Sequence, residues 1–483
     1  MEQVQSVDPV TMALVTLPTW ILISSRRCFF IVVGLLMLPG CTHHRNLVEE
    51  AHRQYWSGDI AGSAKLLNEA IEKPQNDLDP LLLDQAMLEF HNGNLGHCQK
   101  LLLEVQQRNQ TSKIQTIAEN STAYLSDDTH RRFEMDEHEQ ILLNVMLLLS
   151  SLIGQDGDAH AFALQLGEQC QELLASRPAK TEEDANAAPS EVVEQAEIDP
   201  VKSELAIGPL LQALTLGESP THHDELLRHL ATANDWRPDS PMLNSMLIDA
   251  ANGVQAPEGH GTVFVISLVG RGPRKITSLE TVTSDATLAA DRMLSELGDY
   301  SLPPTIAPIK VARIELSPLT FDRILVSVDG HAAGETTVVS DIGRLAVERQ
   351  QELMPQIIAR AVVRRMLKKG VMVAAKKKSG VERDQKNNAS SLAWDAVGVV
   401  WEAIEKPDLR GWSLLPGSIQ ILRLDLPAGN HQLTFAPTMY GNVVGESYRG
   451  TVHVQDGRTT FITTIQSDAA IPGRMRSIQT TNN

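Results

Sequence analysis

Cys41 is the residue best placed for chemistry in this chain. Arg26-Arg27 lead into an apolar run from Cys28 to Leu38, and Pro39-Gly40 then place a small residue directly before the thiol. A cysteine sulfur is a nucleophile once ionised. Other candidates are weaker. His43-His44 and His222-His223-Asp224 carry metal-ligating groups, but a zinc site needs three or four ligands and the sequence places no others. Thr221 or Asp224 reads better as the cap of a helix start. Gly270-Arg271-Gly272 follows a strand-like run, yet Pro273 and the missing third glycine argue against a dinucleotide loop. Cys98 and Cys170 fit buried free thiols, with a Cys98–Cys170 disulfide as the alternative. The sequence has no Gly-x-Ser-x-Gly, Walker A loop, His-Glu-x-x-His or Cys-x-x-Cys. No catalytic, cofactor-binding or metal-binding residue is therefore assigned, and the chain is expected not to be an enzyme.

The segment around Cys41 has the form of a secretory signal peptide, with a charged region, an apolar region and a cleavage site. The run from Cys28 to Leu38 is short of the roughly 20 apolar residues that span a bilayer. Leu38-Pro39-Gly40-Cys41 resembles the lipobox of bacterial lipoproteins, although Pro39 departs from the usual box. The resemblance implies that residues 1–40 are removed and that Cys41 becomes a doubly modified, acylated N-terminus. More than one acyl chain gives stable rather than marginal anchoring. Residue 42 is Thr rather than Asp, which by the same resemblance implies the outer membrane, with the protein facing the periplasm. A second apolar stretch from Met12 to Ile23 leaves two alternatives, a start codon further along or a first helix kept in the inner membrane.

Composition bounds the class of the chain. It has 483 residues, 42% hydrophobic and 21% charged, with a net charge of −18 and 4% aromatics. Such a length supports two or three domains. The acidic balance and scarce aromatics argue against a nucleic-acid partner. Four cysteines are too few for a disulfide scaffold.

The first half repeats itself. Ala51, Tyr55, Gly58-Asp59 and Leu67 recur at the same spacing as Ala86, Phe90, Gly93-Asn94 and Leu102, with the glycines 35 apart. The pattern resembles the tetratricopeptide repeat, a helix–turn–helix unit with a period of about 34 residues. A small residue lets two helices approach, the aromatic fills the gap, and Gly with Asp or Asn makes the turn. A third unit runs from Ile141 through Gly157-Asp158 to Ala161, Leu164 and Leu166, and a fourth candidate helix pair spans about 204–250 and includes Trp236-Arg237-Pro238 as a terminator.

The expected fold class is multidomain: all-α tetratricopeptide-like repeats followed by an α+β domain with mostly antiparallel strands. Its divisions are 1–40 signal peptide, 41–175 repeats, 176–203 acidic flexible linker, 204–253 further helical hairpins, 254–470 the α+β domain and 471–483 a disordered tail. Within the α+β part, Thr262–Val269 reads as a buried strand, and Lys310–Leu316 and Arg323–Val328 as two more. Helices are expected over 284–298, over Asp341–Lys369 with Asp341 as N-cap, and over Leu392–Ile404 with Trp394 and Trp401. A basic loop lies near 370–390, with Lys376-Lys377-Lys378, Arg383 and Lys386. Four strands close the chain: 418–426, 430–435, 450–454 and 459–465. Hairpin turns are read at Pro427–Asn430 and Asp456-Gly457.

Taken together, the lipobox, the repeats, the Gly-rich turn over Gly259–Pro273, Asp408–Pro416 (Asp-Leu-Arg-Gly-Trp-Ser-Leu-Leu-Pro) and Leu426–His431 resemble an uncharacterised family of bacterial lipoproteins. That family implies no reaction and no cofactor. Two functional expectations remain. One is a lipid-anchored, non-catalytic scaffold that holds a protein partner through its repeats. The other is a small-ligand or glycan binder acting through the C-terminal domain, with the repeats as a spacer.

Overall fold

Three turns set the helical half. In a computed structural model, which describes residues 39–74, 76–118, 133–177, 198–216, 220–254, 256–297, 302, 307–378 and 407–477, Gly58, Gly93 and Gly157 have φ of +88°, +85° and +91°. Left-handed backbone of this kind costs least at glycine; at the third turn Gln155, with φ of +54°, caps the preceding helix and Gly157 follows. The turns close three helical hairpins: α1 (Pro39–Trp56) with α2 (Ile60–Glu72), α3 (Leu78–Asn92) with α4 (Leu95–Ala118), and α5 (Glu137–Gly154) with α6 (Ala159–Ala175). Asp59 caps α2 by accepting from the Gly62 N–H at 2.9 Å. The repeated small and aromatic residues, Ala51, Tyr55, Ala86 and Phe90, are all buried, as the pattern requires.

The third hairpin departs from its expected phase. Ala161 and Leu164 are exposed, and the buried stripe of α6 is Phe162, Ala163, Leu166, Cys170 and Leu173. Its partner α5 is buried along nearly its whole length, from His138 to Ile153, as expected of a helix apolar on every side. Next come α7 (Pro200–Glu204), α8 (Ile207–Leu216), α9 (His223–Trp236) and α10 (Pro241–Ala251). Helix α6 packs against α8, where Gly167 faces Gln212 and Gly208 faces the Cys170 thiol. Residues 200–203, expected in the flexible linker, instead belong to α7. Asp199 caps this helix and pairs with Arg177 at the end of α6. The acid is partnered rather than solvated.

After Gly253 the chain turns to strands. One sheet has the order β12 (Arg474–Ser477), β11 (Thr459–Gln466), β1 (His260–Val269), β7 (Ser418–Pro427) and β6 (Thr337–Asp341). Its β1–β11 pair is parallel and the others are antiparallel. A second, antiparallel sheet has the order β10 (Tyr448–Val454), β8 (Gly429–Met439), β4 (Arg323–Val328) and β5 (His331–Glu335), with β9 (Asn442–Val443) also on β8. A separate ribbon pairs β2 (Arg274–Glu280) with β3 (Ile309–Glu315).

Strand β1 is buried on both faces, which explains its unbroken apolar run. Val263 and Val265 face the second sheet, packing with Phe435, Ile324 and Val452. Phe264, Ile266 and Leu268 face the helices and join a core that reaches from α1 to α10. A third cluster joins the ribbon, α11 (Ser284–Leu297) and α12 (Ile342–Lys378). Asp341 caps α12 as expected, accepting from the Arg344 N–H at 2.8 Å.

Two hairpin expectations are corrected. Pro427–Asn430 joins β7 to β8, and Asp456-Gly457 joins β10 to β11, but each joined pair lies in different sheets. Both flanks of β1 are occupied by β7 and β11, while β8 pairs with β4 and β10, so these turns cross from one layer to the other. The Asp329-Gly330 turn does close a hairpin, between β4 and β5, with φ of 49° and 87°. Residues 474–477, expected in the disordered tail, form β12 on the edge of β11. Residues 370–378, expected in the basic loop, instead continue α12. Leu392–Ile404, Arg383 and Lys386 lie outside the described residues, as do the side chains of Lys376-Lys377-Lys378. No described helix is long and apolar enough to cross a membrane.

Candidate functional site

The candidate residues of the sequence separate in space. Cys41 falls in the first turn of α1, and side chains are described from His43 onward. His43 is exposed, whereas His44 is buried and its Nε2 lies 2.8 Å from Asp77 Oδ2. His222 and His223 are exposed. Among the described residues no group of three or more His, Cys, Asp or Glu side chains could hold a metal ion. Cys98 and Cys170 are free and buried, so the disulfide alternative is not formed. Burial pushes both thiols up to about 12, which makes them inert. Gly272 donates to the Leu415 carbonyl at 2.7 Å, and a Cβ there would sit 2.5 Å from Leu415 Cβ. The Gly-x-Gly turn is thus packed against the 408–416 segment.

That segment is the centre of a buried polar site. Glu139, in the first turn of α5, uses both carboxylate oxygens on backbone: one accepts from the Asp136 N–H at 2.8 Å, the other from the Trp412 N–H at 2.7 Å. Asp84 of α3 does the same with one oxygen, accepting from the Leu414 N–H at 2.9 Å, and meets His52 Nε2 at 2.7 Å with the other. Lys275 of β2 pairs with Asp136 at 2.9 Å and donates to the Arg410 carbonyl at 3.0 Å. Arg410 folds back on Asp408 and lies 6.0 Å over the Phe133 ring. Between these anchors the indole of Trp412 is fully buried.

The electrostatics follow from burial and proximity. Burial pushes the Glu139 carboxyl up to about 7, with the Lys275 ammonium pulling it down and Asp136 pushing it further up. Burial opposes the Lys275 charge, but the Asp136 and Glu139 carboxylates hold its pKa above the ordinary lysine range. Burial also opposes ionisation of Asp136, yet the Lys275 charge keeps it below the usual value. Burial drives His138 down to about 4. His52 loses by burial but gains more from Asp84, and its pKa is raised. These groups hold peptide N–H donors and one another. They clamp a chain segment, and none is a free nucleophile beside a base.

A cavity of about 680 Å³ opens beside the clamp. Val48, Pro80 and Leu81 of the first two hairpins form one wall, and Thr277 of β2 and Leu409 lie opposite. His52 and Asp84 reach it from the clamp. Sequence reasoning singled out 408–416 but missed its partners: Glu139 and Trp412 are 273 positions apart, and Lys275 is one lysine in a polar strand. Compared with known protein families and with curated proteins, the chain matches none.

Proposed function

We propose that the chain is a lipoprotein of the bacterial cell envelope, anchored through Cys41 and facing the periplasm from the outer membrane. In this reading it holds a protein partner as a non-catalytic scaffold, through tetratricopeptide-like hairpins. The order of arginines, apolar run and Gly-Cys supports the anchor. The observation that carries the scaffold is the cavity of about 680 Å³ on the first two hairpins. Its walls are held in place by buried ion pairs and by the clamped 408–416 segment, so a partner would meet a preorganised surface. The walls come from both halves of the chain. That favours a partner held jointly by hairpins and ribbon over repeats that serve only as a spacer.

The test is photo-crosslinking in cells, from an exposed cavity residue and from a distant one. A crosslinker at Leu409, which is 42% exposed, is expected to give a discrete adduct that disappears when Val48→Asp is introduced. The same group at Leu288 on α11 should not give that adduct. Cys41→Ser should abolish fatty-acid labelling and release the protein from membranes. Identical adducts from both positions, or equal labelling of wild type and Cys41→Ser, would overturn the corresponding half of the proposal.

A further inference from the structure

Most of the described arginines meet a carboxylate, as Arg108, Arg177, Arg237, Arg349 and Arg423 do. On the open side of the two sheets, the edge strands β10 and β12 do the opposite. Arg449, Arg474 and Arg476 line one cleft of about 340 Å³ between them. Among the described residues none of the three has a carboxylate partner. A second cleft of about 390 Å³, lined by Tyr55, His91 and Ile471, meets the first at Gly473 and Arg474.

Arg476 is tethered by one donor only. Its Nη2 donates to the His91 carbonyl at 2.5 Å, at the end of α3, while its Nε is buried without a partner. Its guanidinium lies where a side chain on Gly93 would sit, 3.2 Å from that glycine's Cβ position. Burial first, and then the neighbouring Arg474 charge, hold Arg476 below the ordinary arginine range. His91 is pushed down to about 3 by burial and by both arginines, so it stays neutral and adds no charge. The Arg474 and Arg476 charges oppose each other, and no carboxylate lines the cleft they share with Arg449. Cations on an edge strand also deter strand pairing, but that task does not require a half-buried arginine whose Nε is shielded without a partner.

We propose that this cleft is a binding site for a phosphate group. Guanidinium forks match phosphate oxygens in geometry, and a terminal phosphate carrying about −1.5 to −2 charges offsets more of a +3 site than a diester headgroup does with its single charge. The phosphate can belong to a soluble ligand or to a lipid headgroup, and the inference stands independently of the scaffold reading.

The test uses the whole chain carrying Cys41→Ser, at low ionic strength. Inorganic phosphate, followed by calorimetry and thermal melting, should bind saturably and raise the melting temperature. Arg449→Ser with Arg474→Ser removes two exposed side chains and should weaken binding at least tenfold without lowering the melting temperature in phosphate-free buffer. Arg292→Ser, on the exposed face of α11, should leave binding unchanged. Vesicles of phosphatidylglycerol, with phosphatidylcholine as control, separate the sources. Sedimentation with anionic vesicles that the double variant abolishes assigns the headgroup, and binding of inorganic phosphate alone assigns a soluble ligand. No saturable binding of either probe, or equal loss in the Arg292→Ser variant, overturns the site.

Discussion

Glu139 shows what a single buried carboxylate does here. It accepts from two backbone N–H groups, one on its own helix and one on the 408–416 segment. Burial raises its folded pKa to about 7 from an ordinary 4.5. An acid raised in this way contributes stability that is present below its unfolded pKa and is lost as pH rises through the folded one. His138, driven down to about 4, acts oppositely: it favours the folded state above pH 6.5 and loses that contribution as pH falls. Glu139→Gln isolates the first effect, because Gln keeps the shape and cannot ionise. The melting-temperature advantage of wild type over Glu139→Gln should therefore shrink from pH 5 to pH 7. An advantage that grows over that range would show that the carboxylate is favoured where it lies.

At the scale of elements, close approach decides which glycines matter. A Cβ on Gly208 would stand 2.7 Å from the Cys170 sulfur, between α6 and α8, whereas one on Gly96 of α4 meets nothing within 4 Å. Gly208→Ala should lower stability by about 1–3 kcal/mol through overpacking. Gly96→Ala should be neutral or raise it by up to about 1 kcal/mol through helix propensity. Denaturant melts of the two variants check the contrast, and equal effects would refute the packing argument. The turn glycines at 58, 93 and 157 were legible because each is followed by Asp or Asn and flanked by apolar helical stripes, and all three do take a positive φ. Strand β1 was legible because it is buried on both faces. The turns after Leu426 and Val454 were misread because turn chemistry shows that a chain bends, not which layer it enters. Strands β2, β5 and β12 carry too many polar residues to announce themselves. The clamp was invisible for another reason: Lys275, Glu139 and Trp412 are ordinary residues made significant only by the fold.

Across the whole molecule, one apolar core runs from the helical hairpins to a face of the first sheet, with Trp412, Leu414 and Leu415 between them. Trp412→Ala should cost about 3–5 kcal/mol. Helical and tertiary circular-dichroism signals should shift together, because neither half keeps its side of the core alone. Separate transitions, with only one displaced, would contradict that coupling. The position of β1 carries a further consequence. Its neighbour β11 arrives late: Ser267 and Thr464, 197 positions apart, are hydrogen-bonded across that pair. A chain emerging N-terminus first can form its helices early but cannot complete the layer that covers them until its last strands exist. Until those strands are made, β1 lacks β7 and β11 on its two edges, and its face toward the second sheet lacks β8 and β10.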